Sequence, residues 1–400
     1  MAYQPLKLTV TLETVTPLFL GGAEQQPELR PASFRGALRF WLRALLGAHI
    51  GDNVERVREA ENRVFGSTNS ASPVIVRLTP INVPEPESLS FSIDSGIGYL
   101  LWAITRTQRT AFPAGTTRFQ LTLSVYLSRS GAHNAFRYVA GALWLLVNLG
   151  GVGMRARRGL GSLRVADVKG WPPDFPPIHP DKDDLGSFLA KGVAKLQQVL
   201  DLSPATTVNL PPSFNVLHPA TSAIYINRQL PWENWMAALE GIGNDLRRFR
   251  RGKQPDHDGV LNVIKGQDPP STLKRAAFGL PMQFYYRSYH EELARRHRDW
   301  NRNRRQARRK TRHLASADVT PAGRGFERRA SPLHFKVAWL GEKQLTAVVT
   351  FFEAQFLDYR KVRITPRDRR KKAHNVDMPD YSMVKEFLAQ PHWQRVFGGS

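Results

Sequence analysis

One stretch limits the fold more than any other. Residues 31–46, PASFRGALRFWLRALL, can bury only one side. Phe34, Leu38, Trp41, Leu42, Leu45 and Leu46 recur at the spacing of an amphipathic helix, and Ser33 stands ahead of them as a candidate N-cap. Arg35, Arg39 and Arg43 recur every fourth residue, so they form one stripe beside the apolar face. On an isolated helix such a stripe is a solvated face. Here both flanking regions are rich in glycine. Residues 16–22, TPLFLGG, lead from a strand into the helix, and residues 150–162, GGVGMRARRGLGS, form a loop that holds Arg155, Arg157 and Arg158. A helix packed on a sheet with arginines along its flank can hold phosphates.

The surrounding periodicities supply that sheet. Residues 7–16, 73–78 and 118–127 alternate or cluster β-branched residues as strands do. Residues 53–64 read as further helical turns, 135–149 as an apolar helix and 162–166 as a last short strand, while 81–112 reads as loop. The order β-α-β-β-α-β is the ferredoxin-like (RRM-like) arrangement, an antiparallel four-stranded sheet with two helices on one face. The proline-rich residues 171–182 read as a linker, and 183–201 as a helix. Further on, 222–227 and 277–286 read as strands, 232–249 as a helix, 333–340 with 344–352 as a hairpin about Gly341, and 384–397 as a terminal helix. The expected fold class is therefore α+β. It has tandem ferredoxin-like domains at 1–170 and 183–400, the second degenerate and interrupted by an arginine-rich insertion at 287–330. That insertion is expected to project from its domain, partly helical over 291–309, and to add little core.

Charge limits the partner. The 400 residues hold 57 Lys+Arg against 34 Asp+Glu, a net +23 that calls for a polyanion, either nucleic acid or an anionic membrane surface. No apolar run approaches the roughly 18–20 residues of a bilayer span, and the N-terminus reads straight into a strand, so a cytoplasmic protein with no membrane partner is expected. The chain has no cysteine, which removes disulfides, thiol catalysis and cysteine-bound zinc. The loop at 150–162 lacks the lysine and Ser/Thr of a nucleotide P-loop and follows a helix, which argues against nucleotide hydrolysis. Its glycines would let the backbone approach a ligand, or else simply make a tight turn. His257 lies between Asp256 and Asp258, but adjacent residues in a turn do not readily face one ion. His290, His297 and His313 sit among arginines. No metal or cofactor is expected. Phe119 and Tyr126 fall on opposite faces of one strand, and Trp41 and Trp144 read as core.

Taken together, residues 16–22, the segment 29–43 (LRPASFRGALRFWLR) and residues 150–162 resemble the RAMP superfamily of CRISPR-associated proteins. More narrowly they resemble the first Cmr subunit of type III-B effector complexes. Residues 278–281 (FGLP) and 330–333 (ASPL) extend the resemblance into the second half, while 287–330 lies outside it. The resemblance implies tandem ferredoxin-like domains and a non-catalytic subunit that holds the guide RNA 3′ region and the end of the guide–target duplex. Its implied partners are guide RNA, target RNA, the backbone RAMP subunits, the small subunit and the large polymerase-like subunit. The expected RNA contacts are Arg30, Arg35, Arg39, Arg43, Gly151, Gly153, Arg155, Arg157, Arg158 and Gly159. Arg35 and Arg39 should converge with the loop arginines on one groove, because the near chain offers chiefly Glu24 and Glu28 to offset them. The alternative is a guide-processing endoribonuclease with His49 as general base. A lone histidine at a helix end is more often a capping or surface residue.

Overall fold

The structure, a computed structural model, describes residues 5–22, 26–51, 53–102, 104, 109–126, 131–205, 211–229, 231–251, 254–323, 327–357 and 360–399. In chain order the elements begin β1 (Leu6–Thr14), α1 (Pro31–Ile50), α2 (Val54–Phe65), β2 (Val74–Asn82), β3 (Glu87–Ser88), α3 (Gly96–Leu101), β4 (Thr110–Ala111) and β5 (Arg118–Val125). They continue with α4 (Ala132–Leu149), β6 (Leu163–Lys169), α5 (Leu185–Val199), β7 (Ser222–Asn227), α6 (Trp235–Arg251), α7 (Gln254–Lys265), β8 (Met282–Tyr285), α8 (Arg287–Arg296), α9 (Arg304–Thr311) and β9 (Ser316–Pro321). The last are β10 (Leu333–Gly341), β11 (Gln344–Phe352), β12 (Lys361–Pro366), β13 (His374–Asp377), α10 (Ser382–Leu388) and β14 (Trp393–Gly398). The architecture is α+β, and every paired strand is antiparallel.

The chain makes two compact units. The first takes Met1–Arg247, Leu333–Ala354 and Pro391–Ser400; the second takes Arg248–Pro332 and Gln355–Gln390. The first unit holds two four-stranded sheets, ordered β2-β5-β1-β6 and β10-β11-β7-β14. In β1 and β5 the alternation works as read, burying Leu8, Val10 and Leu12 beside Phe119, Leu121 and Leu123. Helix α1 buries the expected face, with Phe34 meeting Phe119 edge-on at 5.4 Å. One hydrophobic core runs through the unit and reaches from these residues to Ile224, Val348 and Phe352 of the other sheet.

Several local expectations change. Helix α1 starts at Pro31, with Arg30 extended at the N-cap position and no side-chain cap, so Ser33 lies inside the first turn. Proline suits that first position because it has no N–H to satisfy. Residues 171–182, expected as a linker, stay in the first unit. Trp144 Nε1 donates to the Pro177 carbonyl at 2.8 Å, Trp171 Nε1 donates to Pro176, and Ile178 is buried. Prolines that cannot join a ladder here fold back to cover α4. Residues 81–112 contain α3 and the short β3–β4 ladder. The expected terminal helix ends at Leu388. Pro391 bars its continuation, and Trp393–Gly398 pairs with β7 as a strand.

The second unit centres on a sheet ordered β13-β12-β9-β8. Here the sequence reading of 287–330 is corrected. The segment is partly helical as expected, in α8 and α9, but it does not simply project, because its C-terminal part supplies β9, which pairs with both β8 and β12. Ala315, Ala317 and Val319 are fully buried beside Val362 and Ile364. A short apolar alternation after a long basic run was enough to make a central strand. Residues 24 and 127, assigned above to a nearby acid and a strand end, lie outside the described residues.

Candidate nucleic-acid interface

The arginine stripe of α1 turns toward α2. Glu61 is buried there, on the same helical face as Val57 and Val64. Arg39 Nε donates to Glu61 Oε1, and Arg43 Nη1 donates to both carboxylate oxygens at 3.1 and 3.2 Å. Arg39 also reaches the Gly66 carbonyl at 3.4 Å and lies over the Phe65 ring, 5.9 Å from its centroid. Arg35 Nη2 donates to the Val74 carbonyl, and Arg30 lies 3.6 Å from Glu28. A buried carboxylate demands such partners. The repulsion that argued for one groove is therefore met inside the fold by Glu61, on the next helix. Its place in an apolar stripe was the available signal.

The glycine-rich loop is zipped to the chain that enters α1. Met154 N–H donates to the Phe19 carbonyl at 2.9 Å, and Gly161 N–H donates to Pro17 at 3.0 Å. Thr16 Oγ1 donates to the Gly159 carbonyl at 2.8 Å and accepts from Ser162 N–H at 2.9 Å. Gly153 (φ +87°) and Gly161 (φ +59°) need the left-handed region, and a Cβ on them would come within 2.3 Å of the Phe19 oxygen and 1.8 Å of the Val152 oxygen. At Gly151 a Cβ would meet the Leu160 oxygen, and at Gly159 the Leu239 side chain. These glycines are required by contacts within the protein.

The loop also docks on β10. Phe335 N–H donates to the Arg157 carbonyl at 3.2 Å, and Val337 N–H donates to Ser162 Oγ at 3.0 Å. The Arg157 guanidinium lies over the Phe40 ring, 5.5 Å from its centroid, and His334 stacks on the same ring at 5.0 Å and 17°. His334 is buried. Burial first, and then the charges of Arg157 and Arg158, push its pKa well below the ordinary histidine range, so the ring is neutral. Arg155 adopts φ +61°, uncommon outside glycine. It is half-buried, and burial lowers its pKa while Tyr99 opposes the shift. Two strand positions on, Lys336 is buried with Nζ donating to the Leu163 carbonyl at 3.0 Å, and burial lowers its pKa to about 7.

The expected residues thus form two sets with different partners: Arg39 and Arg43 on Glu61, and Arg157 and Arg158 beside Phe40 and His334. Phe40, His334 and Lys336 were missed. By alternation, His334 and Lys336 belong to the outer face of β10, but both faces of that strand are covered. His49 is exposed at the end of α1, its Nδ1 2.8 Å from the Ser203 carbonyl oxygen. His257 contacts Asp258 alone of the two flanking acids, and no cluster among the described residues could hold a metal. Nor is any helix among them long and apolar enough to cross a membrane.

The chain is similar to several known proteins. The RAMP superfamily matches residues 11–164, which run from β1 through the glycine-rich loop into β6. The chain is 26% identical over 344 residues to the CRISPR system Cmr subunit Cmr1-1 of Pyrococcus furiosus, covering 83% of this chain and 82% of that one. It is 35% identical over 173 residues to Cmr1-2 of the same organism, 38% of this chain and 92% of that one. Among solved structures it is similar to apo Cmr1 from Pyrococcus furiosus, with 25% identity, a TM-score of 0.58, and 98% and 99% of the two chains covered. It also shares its fold with a chain of a type III-B Cmr-beta complex bound to cognate target RNA and AMPPnP, at 13% identity and a TM-score of 0.50, with 96% and 98% covered.

Proposed function

From a chain that belongs to the RAMP superfamily, among its Cmr1 subunits, we propose a non-catalytic RNA-binding subunit of a type III-B CRISPR effector complex, cytoplasmic and acting in antiviral defence. It would hold the guide RNA 3′ region and the end of the guide–target duplex, alongside the backbone RAMP, small and large polymerase-like subunits. The observation that carries the reading is the loop docked on β10. It sets Arg157 on the aromatic pair Phe40–His334, where its charge and that of Arg158 already act on a buried neutral ring. A guanidinium laid on a ring loses little freedom when it meets phosphate. Each sheet of the first unit carries the strand order of a ferredoxin-like unit, and we assign the two as the tandem pair.

Fluorescence anisotropy with a single-stranded guide-like RNA tests the reading. Wild type should bind with a log–log salt slope of about −0.7 per phosphate contact. Arg157→Ala with Arg158→Ala should weaken binding, and scrambling the RNA sequence should change little, because phosphates carry no base information. Metal-free cleavage of repeat RNA that disappears in His49→Ala would overturn the non-catalytic assignment in favour of the endoribonuclease.

A further inference from the structure

The positive charge of this chain is not where the RAMP motif is. The second unit holds 30 Lys+Arg against 13 Asp+Glu, which is +17 of the chain's +23. The first unit, with all of the matched residues 11–164, holds 27 against 21, or +6. Within the second unit the charge concentrates on α9 and the turns beside it. Ala294 and Ala307 are fully buried, so α8 and α9 pack closely through small residues and the long cationic side chains point away. Asn303 caps α9 by accepting from Gln306 N–H at 2.9 Å.

Some cations of this hairpin have carboxylate partners. Arg308 pairs with Glu291 at 2.9 Å and Lys310 with Asp299 at 2.8 Å. Arg302, Arg305, Arg309 and Arg312 are exposed and have no carboxylate partner among the described residues. Arg305, Arg309 and Arg312 are spaced i, i+4, i+7, so they form one ridge about 10 Å long at the helical rise. Like charges at that spacing destabilise a helix. Aromatic rings punctuate the same surface. The guanidiniums of Arg304 and Arg308 lie over Trp300 at 5.3 and 5.5 Å, and that of Arg312 lies over the exposed Tyr285 at 5.2 Å. A row of unneutralised guanidiniums, partly held in place by rings, fits a row of phosphates and relieves its own repulsion when one binds.

We propose that the ridge Arg305–Arg309–Arg312, with Arg302 at its head, is an RNA-backbone site of the second unit, distinct from the glycine-rich loop. It rests on the RNA-binding reading above and adds a second grip on the same class of ligand. Because it contacts phosphates, it is indifferent to base sequence.

The test uses the full chain and a fluorescein-labelled oligouridylate, titrated at several salt concentrations. The variant R305Q/R309Q/R312Q should raise Kd at least about tenfold at 0.1 M salt and reduce the log–log slope by about 2, at about 0.7 per lost contact. The charge-retaining R305K/R309K/R312K should keep the slope. Neither triple should lower the melting temperature, since the changed side chains are exposed and the glutamines remove like-charge repulsion. A wild-type chain without RNA affinity at any salt overturns the RNA-binding reading itself. A wild type that binds while the glutamine triple keeps its Kd and slope overturns this site alone. Equal slope losses in the glutamine and lysine triples overturn its electrostatic basis.

Discussion

In the first unit, five arginines answer to three acids. Arg39 and Arg43 share Glu61, Arg118 and Arg164 share Glu13, and Arg137 pairs with Asp174. In the second unit acids are fewer, and the ridge Arg305–Arg309–Arg312 has no carboxylate partner among the described residues. The difference separates two uses of one side chain. Where a carboxylate is buried, as Glu61 and Glu13 are, arginines must neutralise it inside the fold, because an unpaired buried charge costs several kcal/mol. On a short exposed hairpin that burden is absent, and charge can be left for a ligand. Spread evenly along the sequence, the net +23 therefore overstates the charge density of the first unit, at +6, and understates that of the second, at +17.

The comparison breaks most visibly if the second unit has no core of its own. Deleting residues 290–328 removes β9, the strand between β8 and β12, and with it the buried Ala317 and Val319. The expected outcome is loss of the second unit's cooperative melting and its rapid digestion in limited proteolysis. Unchanged melting would return the segment to the status of a projecting charge run.

Lys336 sharpens the first unit's side, as a buried cation with no carboxylate partner among the described residues. Its pKa is about 7 in the folded chain against an ordinary 10.5. Between those values the unfolded chain holds the proton more tightly, so stability should climb as pH rises from about 7 to about 10 and be lost as pH falls back. The full span is about 3–5 kcal/mol. Lys336→Met should flatten that dependence and raise the melting temperature at pH 7, as chemical denaturation across pH would show. A variant with the same pH slope as wild type would refute the assignment.

Next in size is Glu61→Gln, expected to cost about 2–3 kcal/mol in urea unfolding, the low side for a broken buried pair because Arg39 and Arg43 are each partly exposed. Arg39→Ala should act in the same assay. Arg158→Ala should instead appear in RNA affinity, by about 1.5–3 kcal/mol, the range for hydrogen bonds to charged groups. If Arg39→Ala weakens RNA binding as much as Arg158→Ala without destabilising the fold, the division into two sets fails.

The smallest effect is expected on the ridge. Arg305→Gln should change stability by less than about 0.5 kcal/mol, as exposed substitutions do. A larger loss would mean that the ridge, like the stripe of α1, is tied into the fold.

Much was legible beforehand. The alternation in β1 and β5, the apolar face of α1, the α4 helix and the β10–β11 hairpin follow from local periodicity, and the structure keeps them. The family motif was legible for the same reason, since its residues are contiguous. What sequence could not decide was pairing across distance. Whether Arg39 faces a ligand or a carboxylate depends on Glu61, which is near only once α2 folds back on α1. Whether the loop glycines serve a ligand or a turn depends on the Phe19 carbonyl, more than a hundred residues away in the chain. Strand alternation sets which residues share a face, but only the packed structure decides whether that face meets water. That is why His334 and Lys336, polar residues on what reads as an outer face, lie buried under the loop and helix that close over β10.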